Sequence, residues 1–225
     1  RRVTDQMNMD TDANHGGDPG QSSGDYMSDI MSDPIMRQAM ALRGLFHAAL
    51  KNERFESLVW KYAPDYRAFF QIHAPADRVQ VTFDDDLVLA ASLADHIESM
   101  IFFHDMQAGD RGLIRFLKRL LKPGLVFVDI GANVGFYTLI AAKRVGHAGA
   151  VHAFEPVGTT YRLLEQNVGF NKFNSISLYR LALSDVCGEA SIHIPMHANK
   201  GMSTLHPDPG CASEKEQVHT ETLDR

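Results

Sequence analysis

No run of the 225 residues holds the roughly 20 consecutive apolar side chains that a membrane-crossing helix needs, so no bilayer-spanning segment is expected. Cysteine is nearly absent. The two present, Cys187 and Cys211, are too few and too oddly placed for a disulfide framework, and they read as reduced thiols of a cytoplasmic protein. Basic charge is not in excess either. The formal net charge is -6, and seven aspartates against two arginines in residues 1–33 account for nearly all of it. The remainder is close to neutral, so no broad basic face for nucleic acid is expected. The chain opens on Arg1-Arg2 rather than Met, so the lack of a visible targeting signal carries little weight. Against these absences, 44% hydrophobic and 22% charged residues suffice for one sizeable core with an accessory segment.

Three stretches differ in character. Residues 1–33 are rich in Gly, Asp, Ser, Asn and Met without apolar periodicity, as expected of a disordered acidic arm. Residues 34–118 begin at Asp33-Pro34, a helix cap followed by Pro at the first helical position. Ile35, Ala39, Leu42, Phe46 and Ala49 then form one apolar stripe, interrupted in propensity only by Gly44. A second helix with Phe55, Leu58, Val59 and Tyr62, and with Trp60 in the core, is expected to end before Pro64. Val79, Val81 and Phe83 alternate, and Leu87 and Leu89 resume the alternation after Asp84-Asp85-Asp86. That predicts a hairpin whose three aspartates form a solvated tip. A metal site there is disfavoured, because calcium ligands alternate around a glycine bend. A further helix over 110–121, capped by Asp110, carries Leu113, Ile114, Leu117, Leu120 and Leu121 on its apolar face.

From residue 119 to 225 the pattern changes to strand, helix, strand, helix, strand, which predicts the first half of a doubly wound parallel α/β sheet. The strands are Leu125–Ile130, read as buried on both faces, Ala150–Phe154 and Ser175–Leu183. The helices are Phe136–Val145 and a segment capped by Thr159 or Thr160 that runs to Asn167. Shorter antiparallel strands are expected at Ala190–Ile194 and Val218–Leu223.

The chemistry concentrates in Val128-Asp129-Ile130-Gly131-Ala132-Asn133-Val134-Gly135, where a strand turns sharply into a helix. Gly131 permits both the turn and the close approach of a ligand, and the amides opening the next helix carry partial positive charge. Asn133 stands where a dinucleotide-binding loop needs its second glycine, which disfavours a diphosphate bridge. Asp129 would repel phosphate but can hold an ammonium group. Glu155, closing the next strand ahead of Pro156, can accept from both ribose hydroxyls. The plainer alternatives are that Asp129 caps the following helix and that Glu155 is a surface acid. A metal set from His193, His197 and His206 is disfavoured, since their spacing suits a helix while Ser191–Ile194 reads as a strand.

Residues 119–224 resemble the FkbM family of methyltransferases, class I enzymes with a Rossmann-like fold. The resemblance rests on Leu121-Lys122-Pro123-Gly124, the VDIGANVGFYT stretch from Val128 to Thr138 and AFEP from Ala153 to Pro156. It continues through Leu163 to Asn171, Ala182 to Asp185, Gly188, Gly201 to Leu205 and Thr222 to Asp224. It implies S-adenosylmethionine as cofactor and a hydroxyl oxygen as acceptor, on a sugar, glycolipid or secondary metabolite. By position, Asp129 and Gly131, Ala132, Asn133 and Gly135 would hold the methionine part. Glu155 and Pro156 would hold the ribose side, and Ser184 and Asp185 the adenine. Ser184-Asp185 before Gly188 is also a plain turn sequence. Family members continue into a further strand that this sequence does not contain. No catalytic base is therefore assigned, and the chain alone is expected to be inactive and to bind cofactor weakly or not at all. The alternatives are an NAD-binding oxidoreductase and a non-catalytic module derived from a methyltransferase.

Overall fold

The structure, a computed structural model, describes residues 32–51, 53–75, 77–105, 111–196, 200–206 and 212–224. The expectations for residues 1–31, for Asp110 as a cap, for His197 as a ligand and for Cys211 fall outside the described residues, as does the Trp60 side chain.

Helix α1 (Pro34–Leu50) begins where its cap predicts. Asp33 Oδ1 accepts from the Ile35 and Met36 amides at 2.7 and 2.9 Å, and the helix runs unbroken through Gly44. Helix α2 (Glu53–His73) does not stop before Pro64 but carries that proline inside it. Pro64 removes one amide from the helical ladder. Val59, Ala63, Tyr66 and Phe70 nevertheless continue one apolar stripe across it, and the burial of Val59, Ala63 and Phe70 outweighs the lost bond. Strands β1 (Val79–Phe83) and β2 (Leu87–Ala91) form the expected antiparallel hairpin, with Val81 opposite Leu89. Its aspartates are not all solvated. The Asp84 side chain is buried and paired with Lys118 and Lys143, while Asp86 Oδ1 lies 2.6 Å from Lys143 Nζ. Helix α3 (His96–His104) is capped by Asp95 and apolar from Met100 to Phe103. Helix α4 (Arg111–Leu120) buries Ile114 and Leu117, with Leu121 just beyond it, but leaves Leu113, Phe116 and Leu120 exposed, so its apolar face is narrower than the sequence pattern.

The second region is built on three parallel strands in the order β3 (Val126–Ile130), β4 (Ala150–Phe154) and β5 (Ile176–Tyr179). The crossovers are α5 (Phe136–Val145) and α6 (Gly158–Asn171). Both helices lie on one face: Phe127 and Val151 pack with Ala141, Ala142 and Val145, and Ala153 packs with Leu164. The architecture is therefore α/β with a parallel sheet, as the motif order predicts. Strand β3 is not buried on both faces. It pairs with β4 alone among the described strands, and Val126 and Ile130, pointing away from the helices, are 64% and 59% exposed. Helix α6 starts at Gly158 without a threonine cap. Its first amide donates instead to Glu216 Oε1 at 3.0 Å. The stretch expected as one strand over 175–183 splits. β5 stays in the parallel sheet, while β6 (Ala182–Leu183) joins β8 (Ser213–Glu221), which pairs antiparallel with β7 (Gly188–Pro195).

One hydrophobic core unites the two regions: Met36, Phe70, Phe83, Leu89 and Phe102 share a cluster with Val134, Phe136, Leu139 and Ile140. The N-terminal helices and hairpin thus pack directly behind the loop that joins β3 to α5. No helix among the described residues is long and apolar enough to cross a membrane.

Candidate functional site

The loop Gly131–Gly135 leaves the carboxyl end of β3 and enters α5. Gly131 and Gly135 adopt φ values of 73° and 91°, a region that only glycine enters without strain, and Asn133 sits at 51°, where asparagine is among the better tolerated side chains. At Gly135 the restriction is also spatial. A Cβ there would lie 2.7 Å from Leu164 Cδ1. The loop is anchored from behind. The Gly131 and Ala132 amides both donate to the Phe154 carbonyl at 2.9 Å, so the end of β4 sets where the turn begins.

Glu155, the next residue, completes that anchoring. Its carboxylate is 6% exposed; Oε2 accepts from the Asn133 amide at 2.9 Å and Oε1 from the Val157 amide at 3.0 Å. Two of roughly four lone-pair positions are thus used. Burial raises the Glu155 pKa above its ordinary value, partly opposed by the Val157 and Asn133 amides, and the charges of Asp129 and Glu216 push it further up. Asp129 and Glu155, near the ends of adjacent strands, thus lie close enough for their charges to interact. Asp129 Oδ2 accepts from Thr138 Oγ1 at 2.5 Å, and burial raises its pKa as well, opposed by Thr138. The plainer role for Asp129, a buried acid bonded to the start of the next helix, is therefore realised: both the hydroxyl and the amide of Thr138 donate to it, and no cation among the described residues pairs with it.

The structure brings Asp129, Gly131, Ala132, Asn133, Gly135 and Glu155 together, with half-buried Pro156 following directly. Ser184 and Asp185 lie at an exposed turn after β6. Ser184 Oγ donates to Asp185 Oδ1 at 3.0 Å, and the Ser184 amide donates to Glu221, so their contacts lead to the second sheet. Sequence reasoning missed Thr138, Asn167 and Glu216. Thr138 could have been found from its place in the VDIGANVGFYT stretch. Glu216 carries no local signal, because it reaches Gly158 and Arg180 from a strand far along the chain, each at 3.0 Å. Beside Asn133 opens a cavity of about 330 Å³, bounded by Thr160, Arg162 and Gln166 of α6 and by the Arg78–Glu98 pair. That pair is bidentate, with both nitrogen–oxygen distances 3.1 Å. No group of three or more His, Cys, Asp or Glu side chains among the described residues could hold a metal ion.

No family model matches the chain. It is 35% identical over 101 residues to 31-O-demethyl-FK506 methyltransferase FkbM of Streptomyces tacrolimicus, a match covering 44% of this chain and 36% of that protein. It is 38% identical over 66 residues to AMB antimetabolite synthetase AmbE of Pseudomonas aeruginosa, covering 29% of this chain and 3% of that protein. Among solved structures, TYW2 of Pyrococcus horikoshii in complex with MeSAdo aligns with a TM-score of 0.40 and 22% identity, over 52% of this chain and 41% of that one. The chain thus spans little more than a third of the first of these curated relatives.

Proposed function

We propose that the chain is the cofactor-binding part of an S-adenosylmethionine-dependent methyltransferase acting on a hydroxyl oxygen of a sugar, glycolipid or secondary metabolite. The observation that carries this reading is the pair of buried carboxylates, Asp129 and Glu155, at the ends of adjacent parallel strands beside a glycine turn. A diphosphate would meet two negative charges and the Asn133 side chain there. A ligand with an ammonium group and a ribose meets two acceptors. The similarity to the FkbM protein, 35% identity over 101 residues, points the same way.

The residues fit that ligand by their donor and acceptor chemistry. Asp129 is a buried carboxylate bonded to a hydroxyl, and the ammonium of the methionine part would supply its cation. The dipole at the start of α5 suits the methionine carboxylate. Glu155, held by the Asn133 and Val157 amides, keeps acceptor positions for the ribose hydroxyls. We assign Pro156 to the ribose side and Ser184 with Asp185 to the adenine. When bound, S-adenosylmethionine supplies a methyl group activated by its sulfonium. The chain's own part is to fix that group in line and to exclude water. The polar lining of the cavity beside Asn133 suits an acceptor that carries hydroxyl groups.

Calorimetric titration of the protein tests the reading. S-adenosylmethionine should bind and NAD should not, and Asp129→Asn and Glu155→Ala should each weaken binding roughly 10- to 100-fold, as expected for loss of a hydrogen bond to a charged group. Unaltered affinity in both variants, or preference for NAD, would sink it.

A further inference from the structure

The outer edge of hairpin strand β2 carries backbone groups that need partners, and two asparagines of α6 supply them. Asn171 acts as a peptide would: its Oδ1 accepts from the Val88 amide at 2.8 Å and its Nδ2 donates to the Val88 carbonyl at 2.6 Å. One helical turn earlier, Asn167 Oδ1 accepts from the Ala90 amide at 2.8 Å. The two side chains, four residues apart on one helix face, thus replace a neighbouring strand. They differ in one respect. The Nδ2 of Asn167 donates to the Val134 carbonyl at 2.8 Å, inside the loop from Gly131 to Gly135, whereas Asn171 makes no such reach and returns its Nδ2 to the Asn167 carbonyl. Asn167 is fully buried, and Val134 is 2% exposed.

We infer that Asn167 is a positioning residue for the cofactor loop, coupling the seating of the N-terminal hairpin to the Val134 carbonyl and through it to the loop backbone. The inference rests on the functional reading above only for what the loop binds. The geometry stands without it. The end of β4 fixes the first part of the loop through Phe154 and Glu155. Asn167 fixes the part next to it, where Val134 leads into Gly135 and α5. An oxygen in place of its Nδ2 would face the Val134 carbonyl with no donor between them, which a buried site tolerates poorly. The hairpin thereby becomes part of the cofactor site although none of its residues lies in the loop.

Asn167→Asp and Asn171→Asp separate positioning from hairpin packing. Each keeps the oxygen that accepts from β2 and loses the amide donor, but only the first uncouples the loop. Both substitutions should lower the melting temperature of the protein. Asn167→Asp alone should speed amide hydrogen exchange at residues 133–135 and weaken S-adenosylmethionine binding roughly tenfold. Asn171→Asp should leave binding within about twofold. Asn167→Ser, whose shorter hydroxyl leaves room for a bridging water, serves if the aspartate variant does not fold, and should shift both readouts the same way. Equal loss of affinity in the Asn167 and Asn171 variants, or unchanged loop exchange in both Asn167 variants, would overturn the inference. If the wild-type protein shows no affinity for S-adenosylmethionine, the functional reading falls while the exchange pattern still decides this one.

Discussion

Asp129 and Glu155 are acids that their surroundings hold above the ordinary carboxylate range, chiefly by burial. The sign of the consequence is set by that direction. A carboxyl whose folded pKa is raised contributes stability that is complete below its unfolded pKa and is lost as pH rises through the folded value. At neutral pH the unliganded site therefore carries an electrostatic cost, which an ammonium and two ribose hydroxyls would offset. Cofactor affinity should accordingly fall as pH drops through the raised carboxyl range, and Asp129→Asn should flatten that slope in calorimetry across pH. An affinity that stays constant over the range would contradict the role given to Asp129. Gly135 is decided at the same scale. With φ at 91° and Leu164 Cδ1 2.7 Å from any added Cβ, Gly135→Ala should cost about 1–3 kcal/mol in denaturant unfolding.

Individual elements are joined by a few polar clamps rather than by packing alone. The hairpin tip is held through Asp84, whose buried carboxylate meets Lys118 of α4 and Lys143 of α5. Removing one member of a buried charge pair leaves the other uncompensated. Asp84→Asn should therefore lower stability by about 1–3 kcal/mol, whereas Asp85→Asn, whose side chain is 96% exposed, should change it little. Equal effects in thermal unfolding would show that the triplet acts only as a diffuse charge. At the other end of the hairpin, Arg78 and Glu98 lock β1 to α3, with Glu98 Oε2 also accepting from the Ser92 amide at 2.6 Å. These clamps were not legible in the sequence, where three adjacent aspartates read as a solvated turn. Their partners lie 34 and 59 residues away along the chain, and only the packing of α4 and α5 against the hairpin brings the lysines to them.

The molecule as a whole is stabilised through the core that joins the N-terminal helices to the loop region. Within it His104 is 3% exposed among Phe46, Tyr66 and Phe103, bonded to the Tyr66 hydroxyl, and burial pushes its pKa down to about 3. A histidine with a depressed folded pKa contributes stability that is present above its unfolded value and is lost as pH falls towards the folded one. Stability should therefore decline as pH is lowered from 6.5 towards 3, and His104→Gln should make that decline shallower. An identical pH dependence in the variant would assign acid sensitivity to other groups.

How much of this was legible beforehand follows from the range of the forces involved. The cap at Asp33, the hairpin alternation, the glycine turn and the strand–helix–strand order are local, fixed by backbone sterics and by side-chain period over a few residues, and the sequence alone determined them. The places of Asp129 and Glu155, near the ends of adjacent strands beside the glycine turn, follow from the same local order. Tertiary structure decided what depends on distant partners. The helix continues through Pro64 because Val59, Ala63 and Phe70 are buried together on one core. β6 leaves the parallel sheet because β8 pairs with it. Val126 and Ile130 are exposed because both crossover helices lie on the opposite face. The loop itself is held from behind by Glu155 and Asn167, through hydrogen bonds that span 22 and 33 residues of chain. Contacts of that length exist only once the fold has closed, so no local pattern encodes them.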